Sequence, residues 1–281
     1  MRIETDPAAV QAEALRRRAA GQTVGFVPTM GFLHRGHTSL FDLARARCDW
    51  LVASIYVNPL QFGPGEDLDR YPRDPEGDAD KCAAHGCDLL FMPPELYAPD
   101  HSTRVQVTGL STGLCGGDRP THFEGVTTVV ARLFGFVQPN VAVFGEKDYQ
   151  QLAIIRRMVR DLALPVEVVG GPLVRDDDGL ALSSRNAYLS PAQRSRALSL
   201  HRALFAMREA CAAGEDRADA LLDLGRSILD ADQADYLEIR SADALTPLRR
   251  IEGPARAFGA ARYGATRLID NVALAPSGDR P

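Results

Sequence analysis

Apolar positions along the chain follow two alternating rhythms. Compact apolar runs such as 23–29 (TVGFVPT) and 50–57 (WLVASIYV) are punctuated or bounded by Gly, Pro or Asp, as expected of strands buried on both faces. Between them stand stretches with apolar residues at helical spacing, for example 36–48, which carries Leu40, Phe41, Leu43 and Ala44. The same reading gives a helix opening at Asp6-Pro7 and ending at Gly21. A Pro/Gly/Asp-rich loop (58–75), a helix (76–85), a strand (87–93) and a further possible strand (103–109) follow. A loop to Gly125 then leads to a helix (126–137), a strand (140–145), a helix (148–163) and a strand (165–171). Such alternation predicts an α/β fold with a doubly wound parallel, Rossmann-like sheet. Ligands of such sheets sit at the carboxyl ends of the strands. The polar stretches after 23–27, 50–57 and 140–144 fall at those ends and are expected to contribute to one site.

Past Val174 the rhythm changes. A polar loop (175–190) precedes two helices, 191–213 and about 217–230, and three alternating segments, 234–240, 255–263 and 266–272. These read as a small antiparallel sheet. The expected organisation is a Rossmann-like domain over 1–173 and a smaller α+β domain over 174–281.

Composition narrows the function classes. The chain has 281 residues, 45% of them hydrophobic and 25% charged, which is ordinary for a globular protein. A net charge of -5 offers no basic field to nucleic acid or to an anionic membrane, so neither is an expected partner. The first residues contain no apolar signal core, and no run of about 18 apolar residues occurs, so a soluble cytoplasmic protein is expected. Five cysteines (48, 82, 87, 115, 211) form an odd, scattered set, consistent with reduced thiols. CAAHGC at 82–87 lacks a second cluster to complete a metal site and reads as a helix ending near Gly86.

Four stretches carry candidate chemistry. In PTMGFLHRGHTSL (28–40), His34 and His37 precede a helix that begins near Gly36. A helix start attracts anions, and two imidazole donors there suit phosphate oxygens and a leaving pyrophosphate. Zinc would need a third ligand and usually a spacing such as H-E-x-x-H. On these residues alone, phosphate handling, zinc binding and plain loop histidines all stay open. In VFGEKDYQQL (143–152), Lys147 meets the crevice as a point charge for phosphate, while Asp148 and Gln151 form a capping-box variant. Neither G-x-x-x-x-G-K-[ST] nor G-x-G-x-x-G occurs, so a nucleotide would be held in another way. LSSRN (182–186) supplies Ser183, Ser184 and Arg185, either as a triphosphate clamp or as a solvated turn. Asn58 and Gln61, on a loop stiffened by Pro59, Pro64 and Gly65, suit a small polar substrate or are part of an irregular surface loop. No activated nucleophile stands out, Cys115 and the nearby His122 included.

Together, PTMGFLHRGHTSL, YVNPLQF, DLDRYPRD, RPTHFEGV, FGEKDYQQLAIIRRMVRDL, DGLALSSRNAYLS and the terminal RLIDN resemble, in order and spacing, the pantoate–β-alanine ligase family of the H-x-G-H nucleotidylyl-transferase superfamily. The resemblance implies an ATP-dependent ligase in two steps. Pantoate attacks the α-phosphorus of ATP to give pantoyl adenylate and pyrophosphate; β-alanine then attacks the acyl group to give pantothenate and AMP. It implies that His34 and His37 bind ATP phosphates and steady the leaving pyrophosphate, and that Met30 gives a backbone contact nearby. Gln61 and Gln151 would hold pantoate. Gly145, Lys147, Asp148 and Val174 would contact the nucleotide, Lys147 through phosphate and Asp148 through ribose. Ser183, Ser184 and Arg185 would close over the phosphates. Mg²⁺ accompanying ATP and a homodimer are implied as well, with 1–173 as the ATP- and pantoate-binding domain and 174–281 as a lid.

Some positions depart from the usual pattern: Arg35 within H-x-G-H, Gly77, Cys115 where a glutamate is usual, and Thr121 where a glycine is usual. None removes a residue given a catalytic role. Two other classes remain: a simple nucleotidylyl transferase, and a nucleotide-binding regulator whose H-R-G-H no longer turns over.

Overall fold

The computed structural model describes residues 1–275. They form two compact units. The first comprises Met1–Ser111, Arg119–Glu146 and Ile154–Pro172; the second comprises Thr112–Asp118, Lys147–Ala153 and the chain from Leu173 onward. The sequence pattern places a single cut at 173/174, whereas the two inner segments, 112–118 and 147–153, group with the second unit through tertiary contacts that no local pattern announces.

In chain order the elements up to residue 171 are β1 (Arg2–Glu4), α1 (Pro7–Ala19), β2 (Val24–Thr29), α2 (Arg35–Arg45), β3 (Trp50–Ile55), α3 (Pro75–Ala84), β4 (Leu89–Phe91), α4 (Leu114–Asp118), α5 (His122–Val137), β5 (Val141–Gly145), α6 (Tyr149–Asp161) and β6 (Glu167–Gly171). All strand pairs among β1 to β6 are parallel, in the order β1-β4-β3-β2-β5-β6. The strand order therefore reverses between β2 and β5. At such a switch point the crossovers leave in opposite directions and open a crevice at the carboxyl edge. Thr29 and Ile55 are register partners at that edge, so the loops after β2 and β3 start side by side.

Local chemistry explains the element ends. Asp6 caps α1 by accepting from Ala8 N–H at 2.9 Å, and Pro7 fills the first turn, where its missing N–H costs nothing. Gly86, at φ +72°, terminates α3. One face of the sheet packs Leu33, Leu40 and Phe41 against Val27, Leu51, Ala53, Leu90 and Val143. On the other face, Phe134 of α5 meets Phe26 and Phe144 edge to face, with ring centroids 6.3 and 6.4 Å apart.

The segment 103–109, read from the sequence as a possible strand, is not one. Val105 N–H donates to Thr128 Oγ1 at 3.0 Å, and Thr127 Oγ1 donates to Val105 O at 2.5 Å. Side chains of α5 thus take the backbone groups that a sheet neighbour would otherwise satisfy. The three-residue β1, which pairs with β4, is too short to show a period.

The second unit continues with α7 (Pro191–Ala212), α8 (Ala218–Ile228), β7 (Gln233–Ser241), β8 (Ala255–Tyr263) and β9 (Thr266–Leu274). Its three strands are antiparallel in the order β7-β8-β9. A capping box, Ser190 with Gln193, starts α7 ahead of Pro191. Leu200, Leu204 and Met207 of α7 and Leu221 of α8 share a buried core with Leu237, Ala257, Leu268 and Val272 of the strands.

Candidate active site

His34 is the N-cap of α2. Its backbone is extended (φ -135°, ψ 176°), and its Nδ1 accepts from Gly36 N–H at 3.1 Å. His37, one turn in, accepts at Nδ1 from His34 N–H at 3.3 Å, so imidazoles here take the places that Ser and Glu usually hold in a capping box. The two rings sit 4.1 Å apart, tilted by 43°. A neutral imidazole that accepts at Nδ1 carries its hydrogen on Nε2. The cap therefore turns both rings into Nε2 donors. No acidic residue lies in the first turn of α2 to offset the positive end of the helix dipole, and Arg35 is exposed.

The approach to His34 is held by a residue that the sequence pattern does not single out. Gly31 (φ +85°) and Phe32 (φ +53°) are both left-handed, a conformation unusual for a bulky Phe. Asp78 of α3, buried at 1% exposure, accepts from Phe32 N–H and Leu33 N–H, each at 2.7 Å. A Cβ at position 31 would stand 3.0 Å from Asp78 Oδ2 and from Ile55 Cγ2, so this turn needs glycine. The neighbouring Gly77 donates to the cap residue Asp74 at 3.2 Å, which places that departure at a helix start. No local motif marks Asp78; only the folded loop reveals it.

Gln61 ends a 3₁₀ turn (Pro59–Gln61) beyond β3 and is buried. Asn58 Nδ2 donates to Gln61 Oε1 at 3.1 Å and to Gly125 O at 3.0 Å, while Asn58 Oδ1 accepts from Tyr97 OH at 2.9 Å. With its oxygen so engaged, the Gln61 amide turns its NH₂ toward Met30 Sδ, 3.0 Å away. Met30 and Gln61, 31 positions apart in sequence, are thus in contact. From below, Arg119 Nη2 donates to Gln61 O at 3.0 Å, and His122 Nδ1 lies 2.8 Å from the same oxygen. Arg119 also pairs with Glu66; burial would raise that carboxyl's pKa, but the Arg119 hydrogen bonds and charge hold it below the usual range.

The first turns of α5 approach this loop so closely that a Cβ at Gly125 would run into Leu60 O and lie 2.6 Å from Gln61 N. Gly125→Ala is expected to lower stability by about 1–3 kcal/mol, because the backbone atoms it meets must move. Denaturant titration checks this, and an unchanged midpoint would show that the 59–61 turn is free to shift.

The predicted residues divide between the units. Met30, His34, His37, Gln61 and Gly145 lie in the first; Lys147, Asp148, Gln151, Val174, Ser183, Ser184 and Arg185 lie in the second. After Gly145, a 3₁₀ turn (Glu146–Asp148) leads into α6. Asn271 Nδ2 of β9 donates to Lys147 O at 2.9 Å, and Lys147 Nζ stands 3.8 Å from Asp148 Oδ2. Gln150, next to the predicted Gln151, is the buried one: it accepts from Cys115 N–H at 3.0 Å and donates to Gly113 O at 3.1 Å, which ties the segment bearing α4. Cys115 Sγ lies 3.2 Å from Tyr236 OH and 3.6 Å from Arg267 Nη1, so the departure at 115 is absorbed within a packed cluster.

Val174 opens a small hairpin. Leu182 N–H donates to Val174 O at 3.1 Å, and Asp176 N–H to Leu180 O at 2.8 Å. Directly after it, Ser183 caps a 3₁₀ turn (Ser184–Tyr188), its hydroxyl accepting from Arg185 N–H at 3.3 Å. Ser184 is buried and Arg185 partly exposed. Among the described residues, no group of three or more His, Cys, Asp and Glu is placed to hold a metal ion. Nor is any helix of those residues long and apolar enough to cross a membrane.

A parallel sheet whose order reverses beside a helix start carrying two imidazoles defines an α/β protein of the H-x-G-H class. Similarity to known proteins goes further. Residues 2–273 match the family described as Pantoate-beta-alanine ligase, and the chain belongs to it. The chain is 53% identical to the pantothenate synthetase of Pseudomonas entomophila over 272 residues, covering 94% of each. It superposes on the crystal structure of pantothenate synthetase from Thermus thermophilus with a TM-score of 0.92 at 52% identity, covering 97% of this chain and 99% of that one. A pantoate-beta-alanine ligase from Francisella tularensis, crystallised with beta-gamma ATP and beta-alanine, aligns with a TM-score of 0.78 at 30% identity, covering 97% of each chain.

Proposed function

We propose that the chain joins pantoate to β-alanine with conversion of ATP to AMP and pyrophosphate, through pantoyl adenylate. Of the three classes left open by the sequence, the ligase is the one its family selects. The observation that carries the chemistry is the pair of imidazoles held by Nδ1 at the amino end of α2. Adenylation of a carboxylate brings together two anions that repel, so positive charge and fixed donors are what the first step needs.

In the first step a pantoate carboxylate oxygen bonds to the α-phosphorus, and the bond from that phosphorus to the bridging oxygen breaks. His34 and His37 donate from Nε2 to the phosphate oxygens that gain charge as pyrophosphate leaves, and Lys147 and Arg185 add cationic charge. Met30 and Gly145 offer backbone to the nucleotide, with Val174; Asp148 takes the ribose; Ser183 and Ser184 donate to phosphate. Gln61 and Gln151 hold pantoate, the former through the NH₂ that Asn58 orients. In the second step the β-alanine amine attacks the acyl carbon and AMP departs. No side chain becomes covalently attached; rate comes from position and electrostatics. Mg²⁺, when bound, would be held mainly by the triphosphate oxygens, since no group of three His, Cys, Asp or Glu among the described residues is placed to hold it, and it would neutralise part of the phosphate charge. The working form is a cytoplasmic homodimer, and gel filtration against mass standards tests the dimer.

Two assays test the reading: pyrophosphate release from ATP on adding pantoate, and AMP formation on adding β-alanine. Absence of pantoate-dependent pyrophosphate would refute it. Gln61→Ala is expected to raise the pantoate KM about tenfold or more, as for a lost hydrogen bond to a charged group, and to leave the ATP KM within about twofold. An unchanged pantoate KM would remove Gln61 from the substrate site.

A further inference from the structure

Two consecutive residues of β9 lie under the segments of the second unit that carry its proposed phosphate contacts. Side chains alternate along a strand, so Asp270 and Asn271 leave opposite faces of the β7-β8-β9 sheet. Asp270, 4% exposed, accepts from both terminal nitrogens of Arg175, at 2.7 and 2.8 Å. Arg175 also donates to Gly179 O at 3.0 Å, closing the hairpin that runs straight into Ser183. On the other face Asn271, also 4% exposed, donates from Nδ2 to Lys147 O and accepts at Oδ1 from Arg256 Nη1. Arg256 in turn lies 3.9 Å from the ring centre of Tyr149, which packs against Phe258. Asn271 therefore sits in a platform that fixes the main chain at residues 147–149.

We infer that Asp270 and Asn271 are positioning residues that set the distance between Lys147 and the Ser183–Arg185 turn. This rests on the roles proposed above for Lys147 and Arg185. Both anchors are buried, one a carboxylate and the other an amide bonded through both its nitrogen and its oxygen. Their partners are backbone or guanidinium groups that cannot swing away without leaving a buried polar atom unsatisfied. One strand thus gives a flexible lysine and a polar turn a common reference. Misplacing a reacting group by about 1 Å costs up to about a hundredfold in rate, which is reason enough for a rigid reference of this kind.

The test is a double-mutant cycle in the full-length protein, with pantoate-dependent pyrophosphate release as readout. Asn271→Asp keeps the acceptor for Arg256 but replaces the donor to Lys147 O with a second acceptor. It is expected to lower kcat/KM for ATP at least about tenfold while leaving the pantoate KM unchanged. In a Lys147→Ala background the same change is expected to cost less than about twofold, because its effect runs through that side chain. Asn271→Ser, small and uncharged, serves in the same cycle if the aspartate variant does not fold. Wild-type ATP kinetics in the variant, or an equal loss with and without Lys147, would overturn the inference. A wild-type protein that releases no pyrophosphate with pantoate would instead refute the ligase reading, before any variant is made.

Discussion

His37→Ala is expected to lower kcat for pantoate-dependent pyrophosphate release by about a hundredfold or more, the scale seen when one pre-placed donor to developing charge is removed. His37 carries two jobs. Its Nδ1 accepts from His34 N–H, and that bond assigns its hydrogen to Nε2, where it can meet phosphate. Alanine removes both, and with them the neighbour that lies 4.1 Å from the His34 ring. Loss of the capping contact alone costs roughly 0.5–2 kcal/mol of stability. A thermal melt run beside the kinetics therefore separates the two effects: a melting point lowered by a few degrees with turnover intact would leave His37 a cap and nothing more.

Removing the lysine charge is the second large effect. Lys147→Ala is expected to lower kcat at least about a hundredfold at saturating pantoate, because no other cation follows β5 on the same turn. Arginine in its place keeps the charge but not the compact head, so Lys147→Arg is expected to recover only part of the rate. The bond from Asn271 is to the main-chain carbonyl of residue 147, which neither substitution removes, so the local backbone is expected to stay comparable. Near-normal turnover of the alanine variant, measured by pyrophosphate release, would end the role given to Lys147.

How much of this was legible beforehand differs by element. The parallel sheet was, because continuous apolar runs such as 50–57 cannot be amphipathic and must be covered on both faces. The start of α1 was, because Asp6-Pro7 acts within one turn. His34 and His37 were visible as a helix-start pair, yet their mutual capping was not, since imidazoles are uncommon in that role. The possible strand at 103–109 does not form, because the hydroxyls of Thr127 and Thr128, more than twenty positions away, claim the backbone of Val105. The terminal RLIDN is legible as part of an alternating strand and, beyond that, through family likeness; its Asp270 and Asn271 gain a physical account from partners 95 and 124 positions away.

By itself the sequence determined the alternation of strands and helices, the Asp6-Pro7 helix start, the candidate anion-binding residues and, through its motifs, the family. These rest on signals that act over a few residues or on ordered motifs that survive without coordinates. Tertiary structure alone decided that Asp78 holds the Phe32–Leu33 turn, that Asn58 orients Gln61 toward Met30, and that residues 112–118 and 147–153 join the second unit. Each of those depends on groups finding partners far along the chain. A one-dimensional pattern records that a group needs a partner; only packing in space determines which group supplies it.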